Sequence, residues 1–380
     1  MAYSFHSHRA NCKPRKNIVF VKTHKTGSST VTNILHRHGD QHDLTFALPR
    51  AGQNRLDWPW TMRNGSFELV PGTQPNIVCY HGRYNRAFLD KLMPRDTVYV
   101  TILRHPISQY ESTFNYLGFE QLFGIENKTN SMEYFLEKPK DVLVDYLLNE
   151  DLRVNSDRLK LVRNGMSFDL GLNSTRFDDE SEIGKFLRTL RNEFDLVMIS
   201  EFFDESMVLL KDLLCWPLED FAYFNLNVRY DNRTGKADVS DKVVDAMRSW
   251  NNVDFDLYRE FLGIFVKEIA RRSRIDSGVR FGREIEELRS LNDKLRKRCL
   301  RNVTKTTTIG YGVRLKRLEL NGNLAPEVRE MCNTMRQNEV DYLRFLRAKQ
   351  SRYFVSKFVG RLRNALVSFF KFLLAFTNQT

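Results

Sequence analysis

The sequence predicts an α/β fold of three layers, a parallel sheet flanked by helices, with a helical C-terminal extension. Three observations predict it. Short apolar runs recur at Ile18–Val21, Asn76–Tyr80, Asp96–Leu103 and Asp195–Ser200, the length and composition of buried strands. Segments of helical period lie between them, which is the alternation of a parallel sheet. After about Arg271 the composition shifts to charged, helix-forming sequence.

Taken in order, Ile18–Val21 is a buried strand, Lys22 to Gly27 a tight turn, and Ser28 onward a helix with Val31, Ile34 and Leu35 on one face. Residues 43–75 read as loop, broken by Pro49, Gly52, Pro59, Gly65, Pro71 and Pro75. Within it Trp58 and Trp60 are either a satellite apolar cluster or a wall on which a sugar stacks. Asn76–Tyr80 is the second strand, ended by His81-Gly82-Arg83, and Arg86–Leu92 a short helix. Asp96–Leu103 reads as a central parallel strand, apolar on both faces, and Ile107–Leu117 as the next helix. Ser131–Asn149 is helical with an interruption at Pro139, Leu161–Leu172 irregular, and Ile183–Phe194 an amphipathic helix. The fourth strand, Asp195–Ser200, leads into a helix over 201–216. A polar loop at 229–240, a long helical stretch at 241–271, and charged helices at 284–300 and 328–349 follow. The apolar stretch 353–376 is interrupted by Lys357, Arg361, Arg363 and Lys371, too often to span a bilayer. It reads as an interfacial amphipathic segment or as a helix packed on the domain. The expected divisions are a stem or linker remnant at 1–16, a catalytic domain at 17–270, and a basic extension at 271–380.

The chain has 380 residues and a formal charge of +12, which favours anionic partners. No zinc spacing or aromatic-interleaved basic run points to nucleic acid. Six Asn-x-Ser/Thr sequons, at Asn64, Asn127, Asn173, Asn232, Asn302 and Asn378, exceed the roughly two that chance gives and lean towards a secretory lumen. Of five cysteines, Cys299 and Cys332 flank a polar segment and are the expected disulfide, while Cys79 sits in an apolar strand as a buried thiol.

The chemistry centres on NIVFVKTHKTGSSTVTNILHRH, residues 17–38. A strand, a turn with one Gly and several hydroxyls, then a helix start makes a nest of backbone N–H groups at the positive end of a helix dipole. Lys22 and Lys25 add full charge. A nucleoside-triphosphatase loop places glycines before its lysine; here Lys25 precedes Gly27, and no glycine lies in the six residues before it. The stretch KTHKTGSST resembles the galactose 3-O-sulfotransferase family, galactosylceramide sulfotransferases among them. So do LVRNGMSFDLGL and EFFDESMVLLKDLLCWPLEDFAYFNLNVR.

That resemblance implies a sulfotransferase/P-loop-like sheet and an enzyme using 3′-phosphoadenylyl sulfate (PAPS) as cosubstrate to sulfate the 3-hydroxyl of a terminal β-galactose. It makes Lys22, Lys25, Thr26, Gly27, Ser28, Ser29 and Thr30 the 5′-phosphosulfate site. Arg104, leaving the third strand in VTILRHP, and Ser112, about two turns into the next helix, become the grip on the 3′-phosphate. An Arg at the carboxyl end of a parallel strand already lies where open α/β sheets bind ligands. Sulfuryl transfer is in-line displacement governed by positioning and charge, so Lys25 first and Lys22 second are the expected catalytic cations. A base must take the sugar proton, and His24 and His81 are equal candidates; His105 lies beside the 3′-phosphate site instead. Asp169 and Arg83 are candidate acceptor contacts. No metal is expected. The expected acceptor is a glycolipid such as galactosylceramide, then glycoprotein galactose, at a membrane surface; a homodimer is left open. The family is of type II Golgi membrane proteins acting on the lumenal side. Because MAYSFHSHRANCKPRKN shows no anchor, a truncated chain or catalytic fragment is the expectation. From a different class, a non-catalytic nucleotide- or sugar-binding protein would keep the same loops.

Overall fold

A computed structural model describes residues 12–149, 156–228, 240–275, 279–301, 305–308 and 313–377. The expected loop at 229–240 therefore lies almost wholly outside the described residues, as do most of the stem and the sequons at Asn232, Asn302 and Asn378.

The sheet is built from the predicted apolar runs. β1 (Ile18–Val21), β4 (Ile77–Val78), β5 (Val98–Leu103) and β6 (Leu196–Ile199) are buried along their whole length. They pair in parallel in the order β4-β1-β5-β6. Between β1 and β4 run α1 (Ser28–Gln41) and the short antiparallel pair β2 (Leu48–Pro49) and β3 (Phe67–Glu68). After α2 (Arg86–Leu92), β5 returns to the other side of β1. The chain thus reverses direction across the sheet at β1, and the crevice beyond the carboxyl ends of β4, β1 and β5 is where such folds hold ligands.

A helical set follows β5: α3 (Pro106–Tyr116), α4 (Phe119–Leu122), α5 (Ser131–Glu137), α6 (Pro139–Leu148), α7 (Gly165–Asp169) and α8 (Glu180–Glu193). Pro139 divides α5 from α6 as expected, because it cannot donate within a helix. After β6 come α9 (Phe203–Leu214), α10 (Asp241–Trp250), α11 (Asn252–Ile275) and α12 (Val279–Cys299). The long helical stretch expected at 241–271 is divided between two helices. At the break the buried side chain of Asn251 accepts from the Asn164 N–H at 2.8 Å, a long-range bond that periodicity does not show.

The C-terminal region adds a hairpin the sequence reading missed, β7 (Lys305–Thr308) and β8 (Arg314–Arg317), then α13 (Pro326–Arg336) and α14 (Glu339–Thr377). Phe281, Ile285 and Leu288 of α12 and Tyr342, Leu343 and Leu346 of α14 lie in the same apolar cluster as β1. Cys299 and Cys332 form the expected disulfide, and Cys79 is a buried free thiol. A second disulfide, unassigned in the sequence reading, joins Cys12 to Cys215. Among the described residues no helix is long and apolar enough to cross a membrane.

Candidate active site

The loop after β1 is shaped by two residues in the left-handed region, Lys25 (φ 62°) and Gly27 (φ 81°). For Gly27 this is inexpensive; for a lysine it is a strained conformation of the kind that functional loops retain. The loop hydroxyls hold the turn. Thr23 Oγ1 donates to the Ile102 carbonyl at 2.5 Å and lies 2.8 Å from Thr26 Oγ1, and Ser28 Oγ donates to the Thr23 carbonyl at 2.7 Å. Thr30 Oγ1 accepts from the Leu226 N–H, and Ser29 Oγ from Asn227 Nδ2. So Thr26, Ser28 and Thr30 have their hydroxyls engaged within the protein. What the loop offers outward is its backbone: the N–H groups of Thr26, Gly27, Ser28 and Ser29 carry no hydrogen bond among the described residues. They form the unsatisfied row of a helix start, the kind of row that can receive an anion.

Two cations belong to this loop and its neighbouring strand end. Lys25 Nζ lies 3.4 Å from the centroid of the Tyr116 ring, a cation–π contact that restrains its long side chain. Arg104, just after β5, donates from Nη1 to the Lys25 carbonyl at 3.2 Å, which ties that strand end to the loop. Burial lowers the Arg104 pKa from its ordinary value, while Glu201 and Glu111 act in the opposite sense. Ser112 is half-buried in the second turn of α3. His105 packs edge-on against Tyr258 and Phe255, on the far side of Arg104 in the chain from the loop.

Lys22 is placed differently from Lys25. Its side chain is 1% exposed and its ammonium is ion-paired with Glu339 in the first turn of α14, with Ser29 Oγ and Thr32 Oγ1 at 3.3 and 3.4 Å. No sequence signal marked Glu339, which is 317 positions away.

The two histidines are brought face to face. Their rings stack with centroids 3.9 Å apart and planes 16° from parallel. The register that sets Ile18 opposite Ile77 carries Lys22 opposite His81, and His81 Nδ1 donates to the Lys22 carbonyl at 3.2 Å. Burial first, then the charges of His24, Lys22 and Arg55, push the His81 pKa well below its ordinary 6.5, so this ring is neutral at neutral pH. His24 is bound by a carboxylate. Asp169 Oδ2 accepts from both the His24 N–H and its Nδ1, each at 2.8 Å, while Asp169 Oδ1 accepts from Trp58 Nε1 at 2.9 Å. A carboxylate on Nδ1 fixes the tautomer that leaves Nε2 as an acceptor.

Asp169 stands at the end of α7, which is itself held from α11. Asp254 accepts from the Met166 and Ser167 N–H groups and from Ser167 Oγ at 3.1, 2.8 and 2.6 Å. Burial raises the Asp254 pKa to about 6. Arg83 donates to the carbonyls of Phe168 and Gly171, fixing the turn after α7. Gly171 (φ 102°) is required there, since a Cβ would stand 2.9 Å from the Tyr84 carbonyl oxygen. Of the two tryptophans, Trp58 is buried with its indole N–H on Asp169, and Trp60 is 67% exposed. Sequence reasoning missed Glu339, the Trp58–Asp169 bond, Tyr116 beneath Lys25, and Gln109, whose Nε2 donates to the His24 carbonyl at 3.0 Å. Among the described residues no three His, Cys, Asp or Glu side chains cluster as a metal site would need.

Comparison with known proteins places this chain in a family. The galactose-3-O-sulfotransferase family model matches residues 2–350. Human galactosylceramide sulfotransferase is 36% identical over 292 residues, 76% of this chain and 65% of that protein; this chain thus spans about 65% of that relative's length. Human galactose-3-O-sulfotransferase 3 is 33% identical over 371 residues, covering 90% of this chain and 82% of its own length. Pig galactose-3-O-sulfotransferase 2 is 35% identical over 300 residues, with coverages of 77% and 71%. The chain belongs to the galactose-3-O-sulfotransferase family.

Proposed function

We propose that this protein transfers a sulfuryl group from PAPS to the 3-hydroxyl of a terminal β-galactose, with galactosylceramide or a related glycolipid as first acceptor and glycoprotein galactose as second. The observation that carries the reading is the juxtaposition of an anion row with a carboxylate-bound imidazole. The N–H groups of Thr26–Ser29 and the Lys25 ammonium stand in one loop with the His24–Asp169 pair. The donor set fits a nucleotide with two phosphate ends, because Arg104 and Ser112 lie on the adjacent strand end and helix.

In the proposed reaction the sugar O3–H proton passes to His24 Nε2 as the O3–S bond forms. The bond from sulfur to the bridging 5′-phosphate oxygen breaks, leaving the sulfated sugar and adenosine 3′,5′-bisphosphate. Asp169 stabilises the charge that His24 gains, and Lys25 with the backbone row stabilises the charge on the departing phosphate. His24 is preferred over His81 because it has the carboxylate partner, and because a ring held neutral far below working pH is a weak base. Asp169 and Arg83 are assigned to positioning, since both are engaged within the protein. A lumenal, Golgi-membrane setting is supported by two disulfides and by the exposed sequon residues Asn64, Asn127 and Asn173. Exposed Val355, Val359, Leu366 and Val367 on α14, interleaved with basic residues, support a membrane surface as partner.

Calorimetry with nucleotides tests the donor assignment. Adenosine 3′,5′-bisphosphate is expected to bind ~10-fold or more tightly than adenosine 5′-monophosphate, a difference of at least about 1.4 kcal/mol, and Arg104→Ala to erase the difference. Equal binding of the two by the wild type, or magnesium-dependent ATP hydrolysis, would remove this reading.

A further inference from the structure

The ion pair at Lys22 gives the C-terminal helices a place in the site. A lysine ammonium that is 1% exposed requires a counter-charge, because an unpaired buried charge is strongly destabilising. Among the described residues Glu339 is the one carboxylate on it. The position of Glu339 is firmly set. Asn33 Nδ2 of α1 donates to the carbonyls of Thr334 and Gln337 at 2.8 and 3.2 Å, docking the α13–α14 turn onto α1. One turn later Tyr342, Leu343 and Leu346 enter the core beside β1. Lys22 is equally constrained at its other end, since its carbonyl receives His81 Nδ1 and the next three residues are Thr23, His24 and Lys25.

We propose that Glu339 is a positioning residue of this site: by pairing with Lys22 it fixes the junction between β1 and the loop, and thereby the aim of His24, His81 and Lys25. Lys22 then serves the loop's geometry instead of contacting the donor. This rests on reading the site as one of sulfuryl transfer. The chain beyond α13 is accordingly a working part of the site and not an appendage to it.

Kinetics of three variants, Glu339→Gln, Lys22→Met and the double Lys22→Met/Glu339→Gln, test the proposal with labelled PAPS and galactosylceramide. Glu339→Gln is expected to lower kcat ~10- to 100-fold, the scale of a small misplacement of reacting groups, with KM for PAPS changed less than about 3-fold. The double variant leaves no unpaired buried charge and is expected to recover at least ~10-fold over either single variant. A double variant no better than Lys22→Met would overturn the proposal, by showing that Lys22 acts directly on the donor. So would a wild-type kcat in Glu339→Gln, or a lowered KM for PAPS, which would make Glu339 a competitor of the donor. If Glu339→Gln does not fold, the double variant against Lys22→Met carries the comparison. Wild-type transfer is the reference: its absence defeats the sulfotransferase reading itself, whereas a failure confined to the variants defeats only the role of Glu339.

Discussion

Lys25→Ala is expected to lower kcat by about 10³-fold, the upper range for removing one preorganised charge from a transition state, with the protein still folded. Lys25 is the cation that belongs to the loop itself. Its backbone is left-handed, the following N–H groups carry no hydrogen bond among the described residues, and the Tyr116 ring restrains its ammonium. The leaving group of the proposed reaction is a phosphate that gains negative charge, so this side chain acts where charge develops. Lys25→Arg is not a rescue, because a broad, delocalised guanidinium does not put a compact point charge where the lysine ammonium stands. Single-turnover transfer measured on both variants checks the role; activity within tenfold of wild type in Lys25→Ala would refute it.

Removing the base is expected to have a comparable effect. His24→Ala should cost ~10²- to 10⁴-fold in kcat, the range for general-base catalysis, and Asp169→Asn ~10²-fold or more, because the amide no longer selects the Nδ1–H tautomer or supports the cation. The pH profile separates the two histidines. Burial and neighbouring charges hold His81 well below its usual 6.5, so it is already neutral above that pH and contributes no proton change there. His81→Asn is therefore expected to leave the shape of the kcat profile above pH 6.5 as in the wild type; a changed shape there would move the base to His81.

The parts of this account that were legible in the sequence are those written in consecutive residues. The four strands showed as apolar runs because a strand buried on both faces admits little else, and the order of Lys25 and Gly27 in the loop separated it from a triphosphatase loop. The place of Arg104 just after β5 was legible from the apolar run that ends at Leu103. The remaining features depend on partners far apart in the chain. The Asp169 carboxylate reaches His24 across 145 residues; the sequence marked it as a candidate acceptor contact, and nothing local showed the imidazole as its partner. Trp58 read as a core residue or a sugar wall, and only its indole bond to Asp169 gives it a third role. The hydroxyls of Thr26 and Ser28 suggested direct ligands, yet a tight turn needs internal hydrogen bonds and takes them. Glu339 gave no local signal at all, because a charged residue at a helix start is ordinary; only the docking of α14 turns it into the partner of a buried lysine.

The decisive measurement is transfer of labelled sulfate from PAPS to galactosylceramide, with the labelled position on the sugar then determined. Label is expected on the lipid, at the 3-hydroxyl of galactose, in the wild type, and none above background in Lys25→Ala. Tight binding of adenosine 3′,5′-bisphosphate without transfer to galactosylceramide, lactosylceramide or a galactose-terminated glycan would contradict that expectation and leave a binding protein in place of an enzyme.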